Sequence, residues 1–218
     1  MTQATKYTRL LLAALALGAI AAPPVRAEEY IEPPKPSTAP RRAGDVFEKA
    51  TDLMNQGQWE AAVTEYQIAI QADPGIVEAY YRLGLLYQRL RRWAQCASSA
   101  EKAYRLDQRN PEIQALWGHA MLRQGRFPET IWVLEGLIRL NSGRSLQAVY
   151  YDLAEACFAM KWYDRSVDYC QRHLQAGETP QGHALLARTF LAQGFKDKAL
   201  SEMQKSVLLY QNVDDLLR

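Results

Sequence analysis

From Gly44 to the C-terminus, apolar residues recur at three- and four-residue spacing, the period of helices with one buried face. No alternating, valine-rich run argues for a strand. Glycine and proline fall between the apolar runs, where they act as punctuation. Two stretches show the repeating unit. "NQGQWEAAVTEYQIAIQADP", Asn55 to Pro74, is a turn, an aromatic residue and an apolar-periodic run, and "RLRRWAQCASSAEKAYRLDQ", Arg89 to Gln108, repeats that shape 34 residues later. Trp93 takes the place of Trp59, Ala103 that of Ala69, and Arg91 stands where Gly57 stood.

A 34-residue frame begins at Ala43, Val77, Pro111, Gln147 and Pro180, after two extra residues in Asn141–Ser145 and one lost before the last unit. Positions 8 and 20 of every unit are small: Ala50 with Ala62, Gly84 with Cys96, Gly118 with Thr130, Ala154 with Ser166, and Ala187 with Ala199. Small residues there let two antiparallel helices approach closely, so Gly84 and Gly118 are expected at close crossings. The turn carries Gly57, Gly125 and Gly194, with Arg91 and Lys161 in the second and fourth units. An aromatic follows at Trp59, Trp93, Phe127 and Tyr163, whereas Phe195 comes one place early and Lys196 takes the expected site. This pattern resembles the tetratricopeptide repeat over Ala43 to Leu209. The resemblance implies an all-α, right-handed α-solenoid of about five helix-turn-helix units, spanning 43–76, 77–110, 111–144, 147–179 and 180–209. Each pair leaves an apolar face that the next pair covers, which makes one continuous core.

The flanks read differently. Residues 1–27 have Lys6 and Arg9, an uncharged run from Leu10 to Ala22, and Val25-Arg26-Ala27 as a small-residue cleavage site. That is the pattern of a secretory signal peptide, and the run is shorter than the roughly 20 residues of a spanning helix. The expectation is a bacterial protein, periplasmic or secreted, cleaved after Ala27. Glu28 to Ala43 holds Pro33, Pro34, Pro36 and Pro40 and is expected to be a disordered tether. "YQNVDDLLR", residues 210–218, is expected to form a short capping turn or tail, with Asn212 as N-cap. It is too short for a full capping helix, so the last unit is expected to expose apolar surface.

Charge changes the picture once the leader is set aside. The chain carries 26 basic and 24 acidic residues; Lys6, Arg9 and Arg26 lie in residues 1–27 with no acid, so 23 bases face 24 acids in the remainder. A balance of −1 gives no electrostatic case for nucleic acid. No phosphate-binding glycine loop, paired zinc motif or G-x-S-x-G is present. Cys170 and His173 lie three apart on one helical face, but at unit positions 24 and 27, which pack in the core. The reading is therefore not an enzyme, with no cofactor or metal. Cys96, Cys157 and Cys170 are expected to be free, buried thiols that pack as small hydrophobes.

In this repeat family the concave surface is lined by first-helix positions 2, 5, 6, 9, 12 and 13. The resemblance assigns to it Phe47, Tyr81, Arg82, Leu85, Arg89, Leu116, His119, Arg123, Tyr151, Glu155, Phe158 and Arg188. The family's variant that clamps a C-terminal carboxylate places lysine and asparagine where this chain has Phe47 and Thr51, so that mode is not implied. Aromatics interleaved with arginine suit an amphipathic or extended peptide of some acidic character. The function expected is an exported scaffold or adaptor that holds a peptide or helix of an envelope protein in this groove and supports assembly of a multiprotein complex. The alternative is a chaperone-like accessory subunit of a periplasmic enzyme. The partner is a protein or peptide, with no nucleic acid and no membrane span after cleavage; oligomeric state is left open.

Overall fold

The computed structural model describes residues 42–140 and 146–216, with side chains as far as Gln211. The leader, the cleavage site, nearly all of the proline-rich stretch and Asn141–Ser145 lie outside the described residues. Ten helices follow one another without a strand among the described residues: α1 (Ala43–Asn55), α2 (Trp59–Ala72), α3 (Val77–Arg89), α4 (Trp93–Leu106), α5 (Pro111–Arg123), α6 (Phe127–Leu140), α7 (Gln147–Ala159), α8 (Tyr163–Ala176), α9 (Pro180–Ala192) and α10 (Lys196–Leu216). The odd-numbered helices start at Ala43, Val77, Pro111, Gln147 and Pro180, the residues at which the sequence frame begins.

Local chemistry sets the helix ends. Pro111 and Pro180 occupy the first turn, where a missing N–H costs nothing. Asn110 accepts from the Glu112 and Ile113 amides, and Thr179 from the Gly182 amide, so both act as N-caps. The hairpin turn inside every unit passes through left-handed backbone: Gly57 at φ 76°, Arg91 at 56°, Gly125 at 74°, Lys161 at 61° and Gly194 at 87°. Three units place glycine there, where the lack of a Cβ removes the strain; two do not.

Each hairpin closes over its small pair. Ala50, Ala62, Cys96, Thr130, Ala154, Ser166, Ala187 and Ala199 are all buried. In the third and fourth units the pair is also hydrogen-bonded: Thr130 Oγ1 donates to the Gly118 carbonyl at 3.4 Å, and Ser166 Oγ to that of Ala154 at 2.9 Å. A Cβ on Gly118 would lie 2.3 Å from Leu134 Cδ2 of α6. One on Gly84 would lie 2.9 Å from Leu116 Cδ2 and 3.8 Å from the Cys96 carbonyl. The tightest contact at Gly84 is thus with the next unit, not with its own partner helix.

Packing runs between neighbours. Each helix contacts the next, and α3–α5, α5–α7 and α7–α9 touch as successive first helices. Two apolar clusters result. One holds Tyr66, Leu86 and Met121 among its buried members, the other Leu134, Leu153 and Leu185, and α5 contributes to both. The three cysteines are free and buried, as their core positions require. Burial pushes the thiols of Cys96 and Cys170 up to about 12 and that of Cys157 up to about 11.

The C-terminal expectation is corrected. Residues 210–216 do not form a separate turn capped by Asn212; α10 runs unbroken from Lys196 to Leu216, 21 residues against 14 in the other second helices. No glycine or proline follows Phe195 to stop it.

A groove across the first helices

The inner faces of α3, α5 and α7 wall a groove of about 610 Å³, which Thr179 and Gln181 at the start of α9 also line. Its floor is mainly apolar: Tyr81, Leu85, Ala115, Leu116, Ala148, Val149 and Tyr151 line it. The helical period puts these residues on one side: all but Val149, at position 3, hold unit positions 2, 5, 6 and 9, which stack side by side in successive first helices.

Of the residues assigned from sequence, Tyr81, Leu85, Leu116, His119 and Tyr151 line this groove. Arg89 lines an adjoining hollow of about 400 Å³ with Trp59, Leu85 and Gln88. Phe47, Arg82, Arg123, Glu155, Phe158 and Arg188 do not line the groove. The arginines are engaged elsewhere. Arg82 donates to Glu78 at 2.7 Å and sits 5.8 Å from the Phe47 ring centre. Arg89 lies 4.1 Å over Trp59, Arg123 5.5 Å over Trp93, and Arg188 4.8 Å over Phe158. Guanidinium groups held against rings in this way fasten one unit to the next.

The charges that do line the groove are acidic. Glu112 and Asp152 face it, together with His119. His119 Nδ1 donates to Asp152 Oδ2 at 3.0 Å, and this hydrogen bond raises the His119 pKa above its ordinary value against the opposing effect of burial. The Trp93 ring meets His119 edge-on at 5.8 Å. Burial, then the charge of Glu112, raises the Tyr81 hydroxyl; burial, then Glu155, raises that of Tyr151. An arginine-lined floor built for carboxylates is not what the side chains form.

His173 sits where the core position places it, yet it also reaches the groove. Its Nδ1 donates to the Gln147 carbonyl at 2.8 Å, and Thr179 Oγ1 lies 2.6 Å from Nε2. The imidazole thereby ties α8 to the start of α7 and to the cap of α9. Glu112, Gln88, Asp152 and Gln181 also line the groove. They occupy positions 2, 12, 6 and 2 of the same frame, so that frame held the signal for all four. Among the described residues no group of three or more His, Cys, Asp or Glu side chains is placed to hold a metal ion.

The tetratricopeptide family accounts for this architecture in two independent ways. The model described as "TPR repeat" matches residues 52–90, and that described as "Tetratricopeptide repeat" matches residues 77–110. The chain carries tetratricopeptide repeats. Solved structures extend the likeness over the remaining units. A crystal structure of MamA superposes with a TM-score of 0.70 at 19% identity, covering 76% of this chain and 96% of that one. MamA from Desulfovibrio magneticus RS-1 gives 0.72 at 15% identity, with 78% and 96% covered. TTC0263, a thermophilic TPR protein in Thermus thermophilus, gives 0.58 at 18% identity, with 80% and 94% covered. No curated protein matches the chain by sequence. The TPR array is thus an all-α, right-handed solenoid of about five units.

Proposed function

We propose that this TPR array is a non-catalytic adaptor that works outside the cytoplasm after removal of residues 1–27. It holds one segment of an envelope protein in the groove of α3, α5 and α7 and so supports assembly of a multiprotein complex. The observation that carries the reading is the groove itself: about 610 Å³, concave and mainly apolar, with two partly buried tyrosines, Tyr81 and Tyr151, on its walls. A cleft of this kind takes apolar side chains of an extended or helical segment, and tyrosine is a frequent source of binding energy. Glu112 and Asp152 argue against a strongly acidic segment, whose like charges would meet them. The leader pattern of residues 1–27 supports the compartment. No helix among the described residues is long and apolar enough to cross a membrane.

The test is affinity capture from envelope extract with wild type and variants. Tyr81→Ala combined with Tyr151→Ala is expected to weaken capture at least tenfold, about 1.4 kcal/mol, with helicity unchanged. Arg123→Ala, whose side chain stacks on Trp93 outside the groove, is expected to change capture less than threefold, about 0.6 kcal/mol. Equal capture by wild type and the double variant would move the site away from this groove.

A further inference from the structure

The second helices carry an apolar stripe at unit positions 21, 24 and 28. In the first four units it reads Val63, Tyr66 and Ile70; Ala97, Ala100 and Tyr104; Ile131, Leu134 and Ile138; Val167, Cys170 and Leu174. All twelve are buried or partly buried, because the first helix of the next unit lies alongside. In α10 the same positions are Leu200, Met203 and Val207, exposed by 58%, 49% and 49%. Leu208 and Tyr210 are also exposed, and the stripe walls a shallow hollow of about 480 Å³. The residues are those of a covered face, and among the described residues no further helix lies against it.

The other end of the array does not fit this surface. The exposed residues of α1 are Gly44, Asp45, Glu48, Lys49, Asp52 and Asn55, a polar and charged set. Head-to-tail stacking of copies would therefore bury charge against the apolar stripe of α10. The stripe is instead compatible with itself. It is bordered by Lys196 and Asp197, one of each sign and both at its N-terminal end, and by Gln204 beside its middle. When two α10 helices lie antiparallel, Lys196 and Asp197 of one copy fall at the opposite end from those of the other. The extra length of α10, 21 residues against 14, gives the pair a longer line of contact than any helix pair inside the array.

We propose that α10 is an isologous docking surface on which a second copy of this chain packs its own α10 antiparallel, with Leu200, Met203 and Val207 of both copies forming the buried core. An isologous contact closes on itself, so the product is a dimer and not a fibre. It leaves the groove of α3, α5 and α7 free in each copy.

Sedimentation velocity of the chain without residues 1–27, across a hundredfold concentration range, tests this, paired with cross-linking. Wild type is expected to dimerise, and Met203→Glu and Leu200→Glu, both at exposed positions, are expected to weaken dimerisation at least tenfold with unchanged circular dichroism. Gln204→Cys sits beside the middle of the stripe, where a two-fold axis brings the same residue of both copies together. It is expected to form a covalent dimer on mild oxidation, while Lys49→Cys on α1 does not. The three native thiols, buried and shifted to high pKa, stay out of this reaction. A monomer at every concentration, as a helix from a different protein would leave it, overturns the proposal. So does a dimer that Met203→Glu and Leu200→Glu leave unchanged, or a covalent dimer that forms more readily with Lys49→Cys than with Gln204→Cys.

Discussion

At the scale of single residues the array is sensitive where a side chain is absent or where a proton is shared. Gly118 is the tightest case, since a Cβ there would lie 2.3 Å from the fully buried Leu134. Gly118→Ala gains helix propensity but forces Leu134 out of place, and a net loss of about 1–2 kcal/mol is expected in urea unfolding. Gly44→Ala is the contrast, because a Cβ there meets nothing within 4 Å, and it is expected to be neutral or stabilising. The proton case is His119. Its folded-state pKa is raised, first by the hydrogen bond to Asp152 and despite burial, while Glu155 favours and Arg123 opposes the charged form. The fold thus favours the protonated ring. The stabilisation is complete below the unfolded value of about 6.5 and disappears as pH rises through the folded value. Wild type should therefore lose more stability between pH 6 and pH 9 than His119→Gln does, measured by urea midpoint; parallel losses would separate His119 from the pH response. The sequence showed His119 but not this pairing, because position 9 of one unit meets position 6 of the next only once their first helices are laid side by side.

Among the elements, the hairpin turns follow one rule with two exceptions. Arg91 and Lys161 hold the left-handed backbone that glycine holds in the other three units. That conformation costs a side-chain-bearing residue about 1–2 kcal/mol, partly offset by the greater freedom glycine loses on folding. Arg91→Gly and Lys161→Gly are each expected to stabilise by about 0.5–1 kcal/mol. Thermal midpoints should rise by about 1–4 °C, and unchanged midpoints would show that other contacts of these turns absorb the strain. Helix starts were legible because proline, caps and the 34-residue spacing all marked them. The end of α10 was not, since Asn212 reads as a cap only if the helix has already stopped, and nothing before it supplies a stop. The direction of the arginines was equally hidden. Position 13 places Arg89 and Arg123 on the first helix near the groove, but Trp59 and Trp93 of the preceding units draw their guanidinium groups away.

For the molecule as a whole, contacts between neighbours make stability a sum over adjoining units. Leu153 is fully buried in the second apolar cluster. Leu153→Ala is expected to cost about 2–5 kcal/mol. Hydrogen exchange should quicken chiefly in α7–α10 and leave α1–α4 protected; uniform loss along the chain would mean that α5 couples the two clusters into one unit. The same linear plan bears on how such a chain changes over generations. An unequal recombination that adds or removes one whole internal unit leaves every remaining helix with a neighbour of the kind it already has. Array length is therefore the property most open to inheritance of variants, and the groove can be widened or narrowed without remaking its walls. The last unit is the exception: duplicate it, and the stripe of Leu200, Met203 and Val207 in the upstream copy becomes ordinary core, while the surface that marks the end of the array moves one unit downstream intact.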